Sequence, residues 1–94
     1  MYVGSYDNNL YAIDAAKGTL NWKYATGGYV YSSPAVVNGV VYVGSYDNNL
    51  YAIDAAKGSL EWKYATGSDV PSSPAVLNGV VYFGSNDKSL YAIG

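Results

Sequence analysis

Three aspartates recur at one fixed spacing and are the residues of this sequence best suited to chemistry. Asp7, Asp47 and Asp87 are 40 residues apart, each in a polar stretch after a Gly-Ser pair. Such a series of carboxylates can bind a cation or act as an acid–base pair. It can equally be structural, because Asp in a turn accepts hydrogen bonds from nearby backbone N–H groups. No neighbouring residues complete an oxygen cage, so the structural role is favoured.

Few other side chains could support catalysis. The 94 residues include no Cys and no His, which removes thiolate chemistry and the commonest general base. No base is present to activate the pairs Ser32-Ser33 and Ser72-Ser73 as nucleophiles. We expect these serines to form hydrogen bonds with the backbone where the chain crosses from one repeat to the next. We therefore predict no enzyme activity, no metal site and no cofactor.

The charge balance limits the classes of partner. The net charge is −2 and all five basic residues are Lys, so the sequence lacks the basic footprint of a nucleic-acid-binding protein. It also lacks a polybasic membrane patch. Strand-like sequence follows Met1 directly, so we expect no signal peptide and no membrane insertion, and the compartment stays open.

The recurring aspartates and serine pairs belong to an internal sequence repeat. Residues 1–40 and 41–80 differ at 7 of 40 positions, so 33 are identical, and residues 81–94 keep 9 of the 14 residues of 41–54. A fixed period of this length indicates stacked structural units. The near-identity of the copies fits either recent amplification or deliberate consensus design.

Each repeat predicts four short antiparallel strands, named A to D. In the central copy these are SSPAVV (32–37), VVYVGS (40–45), LYAID (50–54) and SLEWKYA (59–65). Asn38-Gly39 is a strong two-residue hairpin signal, since both turn positions need positive φ. Strand B is apolar on both faces, whereas strand D alternates. This pattern predicts an all-β chain of propeller blades, with helical repeats disfavoured by the short strands.

The predicted organisation is a single repeat array over residues 1–94. It comprises strands B-C-D in 1–25, a full blade A-B-C-D in 32–65 and strands A-B-C in 72–94. Only the central blade is complete, so one chain forms an incomplete propeller. Met1 stands where the other copies have Val41 and Val81, which suggests a cut-out from a longer array. Alternatively, chains close head to tail into a ring or a filament.

A motif within each repeat resembles a known family. AIDAAKGTLNW (12–22) recurs as AIDAAKGSLEW (52–62), with the spacing Ala-x-Asp-x-x-x-Gly-x-x-x-Trp. Together with the upstream VYVGSYDNNLY, this resembles the blade repeat of pyrroloquinoline quinone (PQQ) dehydrogenases and their non-catalytic relatives. The resemblance covers the whole chain. These relatives, often periplasmic, include a scaffold lipoprotein of the outer-membrane barrel-assembly machine.

The resemblance implies a tryptophan dock, in which an indole packs on an Ala and a Gly peptide of a neighbouring blade. Carried over, one dock groups Ala12, Gly18 and Trp22, and a second groups Ala52, Gly58 and Trp62. The enzymes of the family hold the quinone with cationic groups and a calcium ion bound by carboxylates. Because this sequence has no Arg and nearly identical blades, a non-catalytic, self-associating scaffold is favoured. The alternative is a fragment of a larger PQQ-binding dehydrogenase or ligand-binding propeller.

The B–C turns and D–A crossovers of a propeller lie on one face, which carries three of the seven differences between copies. A face rich in Tyr and Asn suits protein or glycan contacts, although unconstrained loop drift explains the differences equally well. The predicted binding face contains Tyr6, Asp7, Asn8, Tyr29, Tyr31, Tyr46, Asp47, Asn48 and Asp69.

Overall fold

Each repeat folds as a small antiparallel sheet in the computed structural model, which describes residues 1–93. These residues form ten β-strands and no helix, in agreement with the predicted all-β class. The strands are β1 (Tyr2–Gly4), β2 (Asn9–Ile13), β3 (Leu20–Ala25), β4 (Ala35–Val37), β5 (Val40–Gly44), β6 (Asn49–Asp54), β7 (Leu60–Ala65), β8 (Ala75–Leu77), β9 (Val80–Gly84) and β10 (Leu90–Ile93). Within this described part, no helix is long and apolar enough to cross a membrane.

The strands form three blades of a partial propeller. The first blade is β1-β2-β3, the second is β4-β5-β6-β7, and the third is β8-β9-β10. Neighbouring strands pair antiparallel throughout. The Asn38-Gly39 hairpin is confirmed, because both residues have positive φ, 52° and 79°. Gly94, the predicted end of the last segment, lies outside the described residues.

Strand A is shorter than predicted, because β4 begins at Ala35 rather than at Ser32. The Ser32 hydroxyl instead binds the edge of the neighbouring strand, donating to the Gly44 carbonyl and accepting from the Gly44 N–H. Pro34 has no N–H to give to a ladder. The segment before Ala35 therefore crosses between blades and does not extend the sheet.

Two apolar cores join the three blades face to face. At the first junction, Leu10 of the first blade meets Val41 and Val43 of the second. At the second junction, Leu50 of the second blade meets Val81 and Phe83 of the third. All six of these side chains are buried. Burial of such side chains between sheets is the main source of stability in stacked repeats.

The outward faces of the first and third blades expose repeat positions that the central blade buries. Val3 corresponds to the buried Val43 and is 43% exposed, and Leu90 corresponds to the buried Leu50 and is 78% exposed. The sequence at these positions is the same or similar, so the difference comes from the presence or absence of a neighbouring blade among the described residues.

Candidate functional site

The B–C turns and the D–A crossovers form one face of the blades, called the loop face below, and its backbone framework is the same at both junctions. At the first junction the Val30 N–H donates to the Ser5 carbonyl over 3.1 Å, and the Tyr46 N–H donates to the Tyr29 carbonyl over 2.8 Å. At the second junction the equivalent bonds join Val70 to Ser45 over 3.1 Å and Asn86 to Asp69 over 2.9 Å. The crossover is thus tied to the preceding and following B–C turns by its main chain, which leaves its side chains free to vary.

A close backbone approach fixes the path of each crossover. A Cβ on Gly4 would lie 2.4 Å from the Val30 carbonyl oxygen, and a Cβ on Gly44 would lie 2.4 Å from that of Val70. No side chain fits at these distances, so the end of strand B must be Gly wherever a crossover passes over it. Gly84 is different, because the nearest atom to its Cβ position is Ser72 Oγ at 3.5 Å.

The three recurring aspartates lie in the B–C turns and bind donors of the fold. Asp47 Oδ1 accepts from the Asn49 N–H over 3.2 Å, and Oδ2 accepts from the Tyr51 hydroxyl. Oδ2 also accepts from the Gly27 N–H of the preceding blade over 2.9 Å. Over residues 1–93, no group of three or more His, Cys, Asp or Glu is placed to hold a metal ion. All three carboxylates therefore act as turn caps, and those of Asp47 and Asp87 also bond to the preceding blade.

These contacts perturb the titration of the Asp47–Tyr51 pair. Burial opposes ionisation of Asp47, but the hydrogen bonds from Tyr51, Gly27 and Asn49 outweigh it and lower the pKa of this carboxyl below its usual value. Burial, followed by the hydrogen bond to Asp47, raises the pKa of Tyr51 to about 12. At neutral pH the pair is a carboxylate that accepts from a phenol.

Four tyrosines of the predicted face form a closed cluster above the first junction. The rings of Tyr6 and Tyr29 stack with centroids 4.8 Å apart and planes 10° apart. Tyr31 lies 5.7 Å from Tyr6, and Tyr46 lies 6.1 Å from Tyr29 and 6.0 Å from Tyr31. Tyr6, Tyr29 and Tyr31 are exposed, while Tyr46 is half-buried. These residues are called the tyrosine cluster below.

The tyrosine cluster has no equivalent at the second junction. There the positions of Tyr29, Tyr31 and Tyr46 are taken by Asp69, Pro71 and Asn86. Four other predicted face residues, Asp7, Asn8, Asp47 and Asn48, lie in the adjoining turns, where Asp7 binds the Tyr11 hydroxyl. The structure therefore brings four of the nine predicted face residues together as one aromatic surface and places Asp69 at the other junction.

The glycine and the tryptophan of the predicted dock meet across blades and not within one repeat. A Cβ on Gly58 would lie 2.6 Å from the indole of Trp22, and Trp22 Nε1 donates to the Ala55 carbonyl over 2.9 Å. Gly18, grouped with Trp22 from the sequence, has nothing within 4 Å of its Cβ position among the described residues. In the grouping of Ala12, Gly18 and Trp22 only the glycine is corrected, since the flat Gly58 peptide of the next blade receives the indole.

The alanines of the two motifs lie beside their own tryptophans. Ala12 is the register partner of Trp22, and Ala52 is the register partner of Trp62. Both alanines are buried. A small side chain at this position leaves room on the same face of the sheet for the large indole on the neighbouring strand.

Sequence reasoning missed two parts of this arrangement. The tyrosines that bind the aspartates, Tyr11, Tyr51 and Tyr91, follow them by four residues in every copy, and this Asp-x-x-x-Tyr spacing could have identified them. The Ala55 carbonyl, which accepts from the indole, left no such signal because any residue type supplies a carbonyl.

Comparison with known proteins supports this architecture. A family model described as outer membrane protein assembly factor BamB matches residues 1–94. BamB from Moraxella catarrhalis superposes with a TM-score of 0.86 and 23% identity, over 98% of this chain and 29% of that one. The computationally designed Ika4 protein superposes with a TM-score of 0.86 and 18% identity, over 99% of this chain and 59% of that one.

A quinoprotein enzyme is also similar. The quinohemoprotein alcohol dehydrogenase ADHIIG from Pseudomonas putida HK5 shares 34% identity and a TM-score of 0.82, over 92% of this chain and 15% of that one. The chain thus spans less than two thirds of each of these structures. No curated protein sequence matches it.

The residues of this chain do not fit the quinone cofactor that the resemblance implies. A quinone held with calcium needs cationic donors and a set of carboxylates converging on one cavity. No cavity is found in the described range 1–93, and the carboxylates of Asp7, Asp47 and Asp87 each accept from the tyrosine of their own repeat.

Proposed function

This chain belongs to the family described as outer membrane protein assembly factor BamB, a group of PQQ-type β-propeller proteins, and we propose that it is a non-catalytic scaffold that associates with itself. The family description refers to protein assembly, which suits a role based on contacts between surfaces. Its loop face serves as a second surface, for contacts with a protein or a glycan.

The observation that carries the proposal is the contrast between covered and uncovered blade faces. Leu10 and Leu50 are buried by the blade that follows each of them, whereas Leu90 is 78% exposed. Val43 is buried by the blade that precedes it, whereas Val3 is 43% exposed. The exposed faces of the third and first blades therefore offer the two halves of a contact that the chain already makes twice.

This contact is heterologous, because the face that contains Leu90 differs from the face that contains Val3. Repetition of a heterologous contact gives a closed ring if the rotation closes and a filament if it does not. Burial of leucine and valine side chains in such a contact stabilises the assembly by about 1.5–3 kcal/mol for each side chain that becomes fully buried.

A fragment of a larger quinoprotein is the second candidate, and the 34% identity with the alcohol dehydrogenase favours it. In that case further blades of the same polypeptide cover both outer faces. Titration with PQQ and calcium separates the two candidates. A saturable change in the quinone absorbance would support a cofactor-binding propeller, whereas an absorbance that does not change would support the scaffold.

Light scattering over a range of protein concentrations tests the proposal. We expect a mass of at least twice the 10.0 kDa of one chain. We expect Leu90→Lys to shift the population to the monomer, because it places a charge in the contact. Leu60→Lys is the matched control, since Leu60 is already exposed on the outer strand of the complete blade. A folded monomer at every concentration would contradict self-association.

A further inference from the structure

The tyrosine cluster is not required by the fold, because the second junction makes the same backbone contacts without it. The bond from the following B–C turn to the crossover is 2.8 Å long at the first junction and 2.9 Å at the second. The bond from the crossover to the preceding B–C turn is 3.1 Å long at both junctions. Asp69 and Pro71 replace two of the tyrosines with no change in this framework. Four clustered aromatic rings, three of them exposed, therefore call for an explanation other than folding.

The chemistry of the cluster selects its ligand. We infer that the tyrosine cluster binds neutral oligosaccharides, whose pyranose rings stack with their C–H faces on the exposed phenol rings. The inference rests on the loop face of the proposed function and names the class of its ligand. Ring faces carry negative charge and attract the weakly positive C–H groups of a sugar, and the phenol hydroxyls offer hydrogen bonds to sugar hydroxyls.

The charges around the cluster favour a neutral ligand. Lys17 and Lys57 lie in turns at the opposite ends of β2 and β6, away from the cluster. Asp7 and Asp47 in the adjoining turns stay ionised while they accept from the Tyr11 and Tyr51 hydroxyls, and their negative charge disfavours anionic ligands. Desolvation, followed by the neighbouring Tyr31, Tyr46 and Tyr29, raises the pKa of the Tyr6 phenol, which is uncharged at neutral pH in any case.

The shape of the surface favours sugar over other ligands of aromatic sites. Proline-rich peptides dock in aromatic-lined grooves, and quaternary ammonium groups enter aromatic cages. Within the part of the chain that the structure describes, no cavity is found. Tyr6, Tyr29 and Tyr31 are 48–63% exposed, and such exposed rings suit the flat C–H face of a sugar, because tyrosines provide contact area with little loss of side-chain entropy.

Calorimetric titration with cellohexaose, maltohexaose and chitohexaose, each at millimolar concentrations, tests the inference. We expect saturable binding of at least one of them with one site per chain. The variant Tyr29→Asp/Tyr31→Pro places at these two positions the residues that the second junction already carries, so it should fold normally and lower the affinity about tenfold or more.

The reverse exchange is the matched gain-of-function control. The variant Asp69→Tyr/Pro71→Tyr/Asn86→Tyr builds a second cluster that includes Tyr46, and we expect it to raise the number of sites per chain to about two if Tyr46 serves both. Circular dichroism and melting temperature confirm that each variant is folded.

Three results would overturn the inference. They are no binding of any of the three oligosaccharides, binding that Tyr29→Asp/Tyr31→Pro leaves unchanged, and binding of a proline-rich peptide or tetramethylammonium in place of the sugars. Light scattering on the same samples keeps this outcome separate from self-association, because the tyrosine cluster lies on the loop face and Leu90 lies on a blade face.

Discussion

The two blade junctions share one framework and differ in what they present to solvent. Beneath the loop face, each has a buried leucine, a tight glycine and a crossover held by paired main-chain bonds. On the loop face, the first has the tyrosine cluster and the second has Asp69, Pro71 and Asn86. The apolar core and the backbone contacts that both junctions share hold the blades together, so the side chains on the loop face can change without loss of the fold.

The largest effect should come from the framework that the junctions share. Gly44→Ala should lower the free energy of unfolding by about 3 kcal/mol, because the new Cβ would overlap the Val70 carbonyl. Gly4→Ala should cost a similar amount at the first junction. Urea denaturation measures both, and Gly84→Ala, which has space, is the control. Equal losses for Gly44→Ala and Gly84→Ala would show that the close approach does not matter.

A smaller effect should separate the two docking glycines. Gly58 and Gly18 have nearly the same positive φ, 72° and 69°, so alanine costs each about 1–2 kcal/mol in backbone strain. Gly58→Ala should lose about 2 kcal/mol more, because its Cβ displaces the indole of Trp22. Thermal unfolding measures the difference.

A double variant sharpens this test. In Trp22→Ala the indole is gone, so adding Gly58→Ala should cost only the backbone strain, and the two losses should not add. If they add fully, Trp22 and Gly58 do not interact and the dock across blades is wrong.

The smallest effect concerns the tie between Asp47 and Tyr51. Tyr51→Phe should cost about 1 kcal/mol at neutral pH, because it removes one hydrogen bond to a half-buried carboxylate. Tyr11→Phe is the control, and it should cost less, because Tyr11 is only half-buried whereas Tyr51 is buried.

The same tie predicts a dependence on alkaline pH. The pKa of Tyr51 is raised from 10.0 to about 12 in the folded chain, so its contribution is complete below pH 10 and is lost as the pH rises toward 12. Unfolding monitored across this interval should show a steeper loss for the parent chain than for Tyr51→Phe. Parallel curves would argue that the phenol is not stabilised by its surroundings.

Much of the fold follows from local sequence signals. The Asn38-Gly39 turn, the alternating strand D and the 40-residue period each report on contacts within one repeat, and all predict antiparallel blades. The role of Asp47 as a turn cap is also local, since the Asn49 N–H that it binds is two residues away.

Contacts between blades could not be predicted in the same way. They depend on the angle between sheets, which no turn or alternation encodes. The sequence therefore grouped Trp22 with Gly18 of its own repeat, whereas the structure places it on Gly58. It likewise identified Tyr6 and Tyr29 as members of one face, but their stacking at 4.8 Å depends on where the crossover lies.

The short Asn-Gly turns have a further consequence for folding kinetics. β5 and β9 differ only by Val43 in place of Phe83, so β4 meets two nearly equivalent partners in an unfolded chain. Pairing with β5 closes a two-residue loop, whereas pairing with β9 closes a loop longer by one repeat and costs roughly 2–3 kcal/mol more in chain entropy. The hairpins thus favour the correct partner before any blade has formed, which protects a repetitive chain from exchanging strands between its own units.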